Sequence, residues 1–133
     1  MRYETLLWHR LTRFYKENLK GANDLLKHWN LSNAQIDIIS RLGEKGILTQ
    51  QELAEKLLVT KGNVTQLLSK LEQENLIQRE KEWKTNYVSL TEEGEKLYRE
   101  IKPQLEIYQA EQFGKLTKEE QKQLLFLLRK LQK

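Results

Sequence analysis

Val64, Leu67, Leu68 and Leu71 stand at i, i+3, i+4 and i+7, which lines four branched apolar side chains along one stripe of a helix. Residues 59–76 around that stripe constrain the fold more than any other part of the chain. The opposite face carries Asn63, Thr65, Gln66, Ser69 and Lys70, and no carboxylate occurs between Lys56 and Leu71. Short amides, hydroxyls and ammonium groups are what a helix needs to lie along phosphates and hydrogen-bond to base edges in a major groove. An ordinary solvated helix face has a similar composition, so the neighbouring segments decide between the two. A second short helical pattern ends just upstream in a tight turn, and two short alternating segments follow just downstream. The order is helix, turn, helix, hairpin.

The flanks supply start and stop signals for that order. Ser32 with Gln35 and Thr49 with Glu52 have the spacing of capping boxes, in which a hydroxyl and a third-position side chain satisfy each other's backbone N–H groups. Gln35, Ile38, Ile39 and Leu42 form the stripe of the first of these helices, closed by Gly43 or Gly46. Leu53, Ala54 and Leu57 mark the second, ending near Leu58, with Val59 as the turn and Thr60 as the cap of the polar-faced helix. Asn75 stands where that helix must reverse, since asparagine tolerates the left-handed conformation of a C-terminal cap. Residues 76–81 and 87–90 alternate in the strand manner, with residues 82–86 as the loop. The prediction is a mainly α fold with a small β-hairpin wing, a winged helix-turn-helix occupying residues 31–94.

Long helices flank this reader on both sides. Tyr3, Leu7, Leu11, Phe14, Asn18, Ala22, Leu25 and Trp29 recur at steps of three and four, widened by Leu6, Tyr15, Leu19 and Leu26. His28 to Asn30 reads as the connection that follows. Thr91 caps a further helix that runs to about Phe113, with Leu97, Tyr98, Ile101, Leu105 and Tyr108 on one stripe and a kink expected from Pro103. Gly114 ends it, and Thr117 with Glu120 opens a last helix carrying Leu124, Leu127, Leu128 and Leu131. A small domain cannot cover such stripes by itself. Residues 1–30 and 95–133 are therefore expected to knit two copies of a single-domain chain, residues 1–133, into a homodimer.

Charge is permissive and no more. The chain of 133 residues carries a net charge of +4, and charged residues make up 32% of it. Residues 48–90 hold six Lys or Arg and six Glu, so nucleic-acid binding must rest on where the cations lie. The absence of cysteine excludes disulfides, thiolate metal sites and thiol redox sensing. No apolar run is long enough to span a membrane, and the charged N-terminal stretch does not read as a signal peptide, which fits a cytoplasmic protein without membrane contact.

Enzyme chemistry finds no support. His9 and His28 are the only histidines, far apart and without a carboxylate motif, and no phosphate loop or nucleophile motif occurs. No catalytic residue, metal site or cofactor is expected. The candidate DNA-binding set is Thr49, Gln50, Lys61, Gly62, Asn63, Thr65, Gln66, Ser69, Lys70, Arg79, Lys81 and Lys84, the last two near the wing tip, where a solvated hairpin is the equal alternative. Trp83 beside them is expected to fold back on the hairpin. Trp8, His9, Tyr15, Trp29 and Tyr98 are candidates for lining an effector pocket, although aromatics at helical spacing more often form core. The rival class is a winged-helix protein-interaction module such as an anti-repressor, against which the polar, unaromatic face around Gln66 argues.

These residues carry a family resemblance. Leu31-Ser-Asn-Ala-Gln35 with Ile38, Ile39 and Leu42, then Val64-Thr-Gln-Leu-Leu-Ser-Lys-Leu-Glu72 with Leu76-Ile-Gln-Arg79, then Val88-Ser-Leu-Thr-Glu-Glu-Gly94, resemble in order the MarR family of bacterial transcriptional regulators. The resemblance implies a homodimer that binds double-stranded DNA at a pseudo-palindromic operator, usually as a repressor and often released by a small-molecule effector. The chain departs from the family pattern in three places. Asn75 stands where glycine is usual, the wing is shorter, and the wing's Asp-x-Arg signature is replaced by Glu82-Trp83-Lys84, a point charge for a guanidinium fork.

Overall fold

Short-range polar pairs fix where the helices begin. Ser32 is extended, its Oγ accepts the Gln35 backbone N–H at 3.2 Å, and its own N–H donates to Gln35 Oε1 at 2.9 Å. Thr49 and Glu52 repeat the arrangement at 2.9 and 3.0 Å, and Thr117 and Glu120 repeat it at 2.8 and 3.1 Å. All three expected capping boxes form, each contributing about 1 kcal/mol by satisfying otherwise orphaned N–H groups.

The structure, a computed structural model, describes residues 2–57 and 61–132, with the side chains of Lys61 and Gly62 outside that description. The expected turn at Val59 and cap at Thr60 lie outside the described residues. In chain order the elements are α1 (Tyr3–Leu26), a 3-10 turn (Lys27–Trp29), α2 (Asn33–Lys45), β1 (Ile47–Thr49), α3 (Gln50–Leu57), α4 (Lys61–Gln73), β2 (Ile77–Glu82), β3 (Thr85–Leu90), α5 (Glu92–Gln112) and α6 (Lys118–Leu131). By the density of internal packing the chain divides into two units, Met1–Lys102 and Pro103–Lys133. Among the described residues no helix is long and apolar enough to cross a membrane.

The first unit has one core. Ile38, Ile39 and Leu42 of α2, Leu53 of α3, Val64, Leu68 and Leu71 of α4, Ile77 and Val88 of the hairpin and Ile101 of α5 are all fully buried. Each such side chain contributes about 1.5–3 kcal/mol on leaving water. Gly46, at φ +87°, ends α2, which resolves the choice between Gly43 and Gly46 in favour of the latter.

Two expectations for the sheet need correction. The sheet has three strands, antiparallel in the order β1-β3-β2, where two were expected. β1 is only three residues long, too short for alternation to show, and pairs Leu48 with Val88, which in turn faces Arg79. The expected loop over residues 82–86 is instead a two-residue turn, Trp83 and Lys84, because Glu82 still pairs with Thr85. Such a turn requires positive φ at its first position, and Trp83 adopts +57°.

The end of α4 is tightly specified. Asn75 takes φ +62°, its N–H donates to the Glu72 carbonyl at 3.0 Å, and the Leu76 N–H donates to the Leu71 carbonyl at 3.0 Å, the paired bonds of a Schellman cap. Thr91 then ties this cap to α5. Its hydroxyl donates to the Asn75 carbonyl at 2.6 Å and accepts the Gly94 N–H at 3.1 Å, while its own N–H donates to the Leu76 carbonyl at 3.1 Å. Gly94 is required here, since a Cβ would run into the Leu76 carbonyl oxygen.

Candidate nucleic-acid interface

α4 is built to present one polar face. Val64, Leu68 and Leu71 are buried beneath it, and Asn63, Thr65, Gln66 and Lys70 are exposed, with Ser69 and Leu67 half-buried at the edges. Lys61 and Gly62 open the helix. The predicted division is thus observed for Val64, Leu68 and Leu71 against Asn63, Thr65, Gln66 and Lys70, while Leu67 of the expected buried stripe and Ser69 of the expected polar face lie between the two.

The structure brings several predicted residues together. Gln50, the first residue of α3, donates from Nε2 to Thr65 Oγ1 at 2.7 Å, so the two helices meet through a pair of candidate side chains. Thr49, Gln50 and Gln51 face Lys84, Thr85, Asn86 and Tyr87 across an open polar cleft of about 480 Å³. The wing tip and the start of α3 thus share one surface. Sequence reading missed Gln51, Thr85, Asn86 and Tyr87 at this cleft because their approach depends on the β1–β3 pairing, which no local spacing reveals.

Arg79 occupies a different position from the other cations. Its guanidinium donates to Glu72 Oε1 at 2.7 Å and lies 3.5 Å from Ser69 Oγ. The hydrogen bond and positive charge of Arg79 hold the Glu72 carboxyl below its ordinary value of 4.5. Glu52 is likewise held low, first by the Thr49 backbone N–H and then by the Thr49 hydroxyl and Lys56. Two of the six carboxylates in residues 48–90 are therefore engaged with the protein itself, which a count of charges does not show.

Lys81 and Lys84 are exposed on the wing. Trp83 does not fold back on the hairpin as expected. It is 85% exposed, and the Lys84 ammonium lies 5.0 Å from the centre of its ring. Trp83 sits in the turn at positive φ with its ring open to solvent, and the Lys84 ammonium makes a cation–π contact with it.

The aromatic candidates for an effector pocket are spread along the chain. Trp8, His9 and Tyr15 are exposed on α1, Trp29 is half-buried with its ring edge-on to His28 at 5.0 Å, and Tyr98 is half-buried with its ring against α2 at Gly43. None of the five lines the cleft beside the wing.

The family model for MarR matches residues 31–82, from the capping box of α2 to the end of β2. A helix-turn-helix transcriptional regulator of Bacillus cereus is 39% identical over 130 residues, which cover 97% of this chain and 88% of that relative. The chain belongs to the MarR family. Two solved structures are similar to this chain. Staphylococcus aureus MepR in complex with DNA superposes with a TM-score of 0.81 at 25% identity, over 98% of this chain and 96% of that one. NadR in complex with 4-hydroxyphenylacetate gives 0.80 at 29% identity, over 91% and 88%. This MarR-family chain is a transcriptional regulator, with the three-stranded winged helix-turn-helix in place.

Proposed function

We propose that the chain binds double-stranded DNA sequence-specifically through α4, as a homodimer on a pseudo-palindromic operator, and represses transcription there. The observation that carries this reading is the exposed, carboxylate-free face of Asn63, Gln66 and Lys70 above the buried stripe of Val64, Leu68 and Leu71. An amide such as Gln66 can pair bidentately with adenine, a contact worth about 1–3 kcal/mol of discrimination. Lys70, Lys81 and Lys84 are point charges suited to phosphates, which position a protein without reading sequence. The MepR complex with DNA supports the partner, and the exposed apolar stripe of α1 supports the second copy. Residues 31–94 serve as reader, and residues 1–30 and 95–133 as dimer contacts.

Release by a small molecule is the second part of the proposal, and the NadR complex with 4-hydroxyphenylacetate supports it. Trp8, His9, Tyr15, Trp29 and Tyr98 are the side chains assigned to such an effector, in a site completed by the second copy.

The test is a binding titration on an operator selected from random duplexes and on its scrambled sequence, each at several salt concentrations. Gln66→Ala should weaken the operator and leave the scrambled duplex nearly unchanged. Lys70→Ala should weaken both and lower the salt slope by about one per contacted site. Equal losses on both sequences for Gln66→Ala would remove α4 as the reader. The zero net charge of residues 48–90 and the exposed Trp83 favour the rival reading, a protein-interaction module such as an anti-repressor. That reading gains if no duplex binds with a salt-dependent affinity.

A further inference from the structure

Successive helical residues turn by about 100°, and on that spacing α4 carries three stripes where the sequence suggested two. Val64, Leu68 and Leu71 form the buried one. Asn63, Gln66 and Lys70, spaced by three and four, form an exposed one. Thr65, Ser69 and Glu72, spaced by four and three, form the third. Each member of this third stripe is met by a side chain from a neighbouring element. Gln50 of α3 donates to Thr65 at 2.7 Å, and Arg79 of β2 donates to Glu72 at 2.7 Å and to Ser69 at 3.5 Å.

Resting on the assignment of α4 as the DNA reader, we infer that Gln50 and Arg79 are positioning residues that brace α4 against α3 and β2, setting the angle of the Asn63–Gln66–Lys70 stripe, and that Arg79 is not a phosphate contact. A short helix seated on one apolar stripe can roll about its axis, and side chains that pair with base edges tolerate little roll. Ties to α3 and to β2 on one flank of the buried stripe oppose that roll. Arg79 is also poorly placed to leave its partner. Its side chain is 24% exposed against 42% for Glu72, and withdrawing it would leave the Glu72 carboxylate without this charge-assisted hydrogen bond. Four of the predicted contact residues, Gln50, Thr65, Ser69 and Arg79, thereby become the frame that holds the others.

The experiment uses the full chain and the same operator and scrambled duplexes. Arg79→Ala should weaken operator binding about tenfold, the scale of one charge-assisted hydrogen bond. Its binding to the scrambled duplex and its salt slope should stay at the wild-type values. Arg79→Lys should fall between the two with the wild-type slope, since it keeps the charge and loses the fork. The reversed pair, Glu72→Arg with Arg79→Glu, should recover most of the operator affinity. A salt slope lowered by about one per site in Arg79→Ala, with both duplexes weakened together, would make Arg79 a phosphate contact and overturn the inference. Failure of the reversed pair to recover would do the same. The brace is also read without DNA, because the thermal shifts of Arg79→Ala and Glu72→Ala should overlap in the double variant. Strictly additive shifts would show that no brace exists. A wild-type chain that prefers no duplex would end the DNA proposal, and the thermal cycle would still decide the brace.

Discussion

α1 and α4 are both amphipathic, and they meet different fates. In α4 the stripe of Val64, Leu68 and Leu71 is wholly buried within one chain. In α1 burial is graded along the helix. Its C-terminal end is fixed, with Leu26 buried and Asn33 of α2 donating to the Leu19 carbonyl at 3.1 Å and to Asn23 Oδ1 at 2.7 Å. Its N-terminal turns leave Tyr3, Leu7, Leu11 and Phe14 at 83, 60, 43 and 41% exposure. The helix starts differ as well, since α2 and α6 open on capping boxes and α1 follows Arg2 with no side-chain cap. Periodicity states that a face is meant for burial. It does not state which surface does the burying, and for the start of α1 the proposed answer is a second copy of the chain.

The comparison breaks most visibly at the proposed dimer. Charges placed in the open stripe, Leu7→Glu with Leu11→Glu, should abolish self-association in sedimentation at micromolar concentration while the helical signal of the reader persists. A wild-type chain that sediments as a compact monomer would leave the stripe of α1 without its proposed cover. Next in size, Leu68→Ala should cost about 2–5 kcal/mol in denaturant unfolding, because it opens a cavity in a filled core. A loss below 1 kcal/mol would show that α4 is not seated as described. Smaller again, Ser32→Ala should cost about 1 kcal/mol through its capping box, and Arg2→Ala should stay within about 0.5 kcal/mol, as at an ordinary surface position. The smallest effect is in acid. The Glu72 carboxyl is held below 4.5 by Arg79 in the folded state, so its contribution is present at neutral pH and is lost as pH falls below that value. As Glu72 is 42% exposed, solvent screening limits it to a few tenths of a kcal/mol. Glu72→Gln should flatten the acid limb of the stability curve by that amount and leave the neutral region parallel.

What the sequence disclosed follows the range of the interaction. The pairs Ser32–Gln35, Thr49–Glu52 and Thr117–Glu120 are three residues apart, and all three were readable and form. Asn75 was readable for the same reason, since its left-handed φ is a property of one residue in its place at a helix end. β1 was not, because three residues show no alternation and its partner lies about forty positions along, a pairing fixed by tertiary register. The two-residue turn was hidden because Trp83 is a poor residue for positive φ, and glycine or asparagine would have marked it. The tie from Arg79 to Glu72 crosses the helix end and enters the sheet, so at the level of sequence Arg79 looked like one more cation for DNA.

The junction of Asn75, Leu76, Thr91 and Gly94 has a mechanical meaning. One threonine closes the cap of α4 through two carbonyls and opens α5 through its hydroxyl, while the missing Cβ of Gly94 lets the backbones meet. With no slack between them, the two helices share a pivot. A displacement of the first turn of α5 is therefore expected to carry the last turn of α4 with it, at the opposite end from the Gln50 tie.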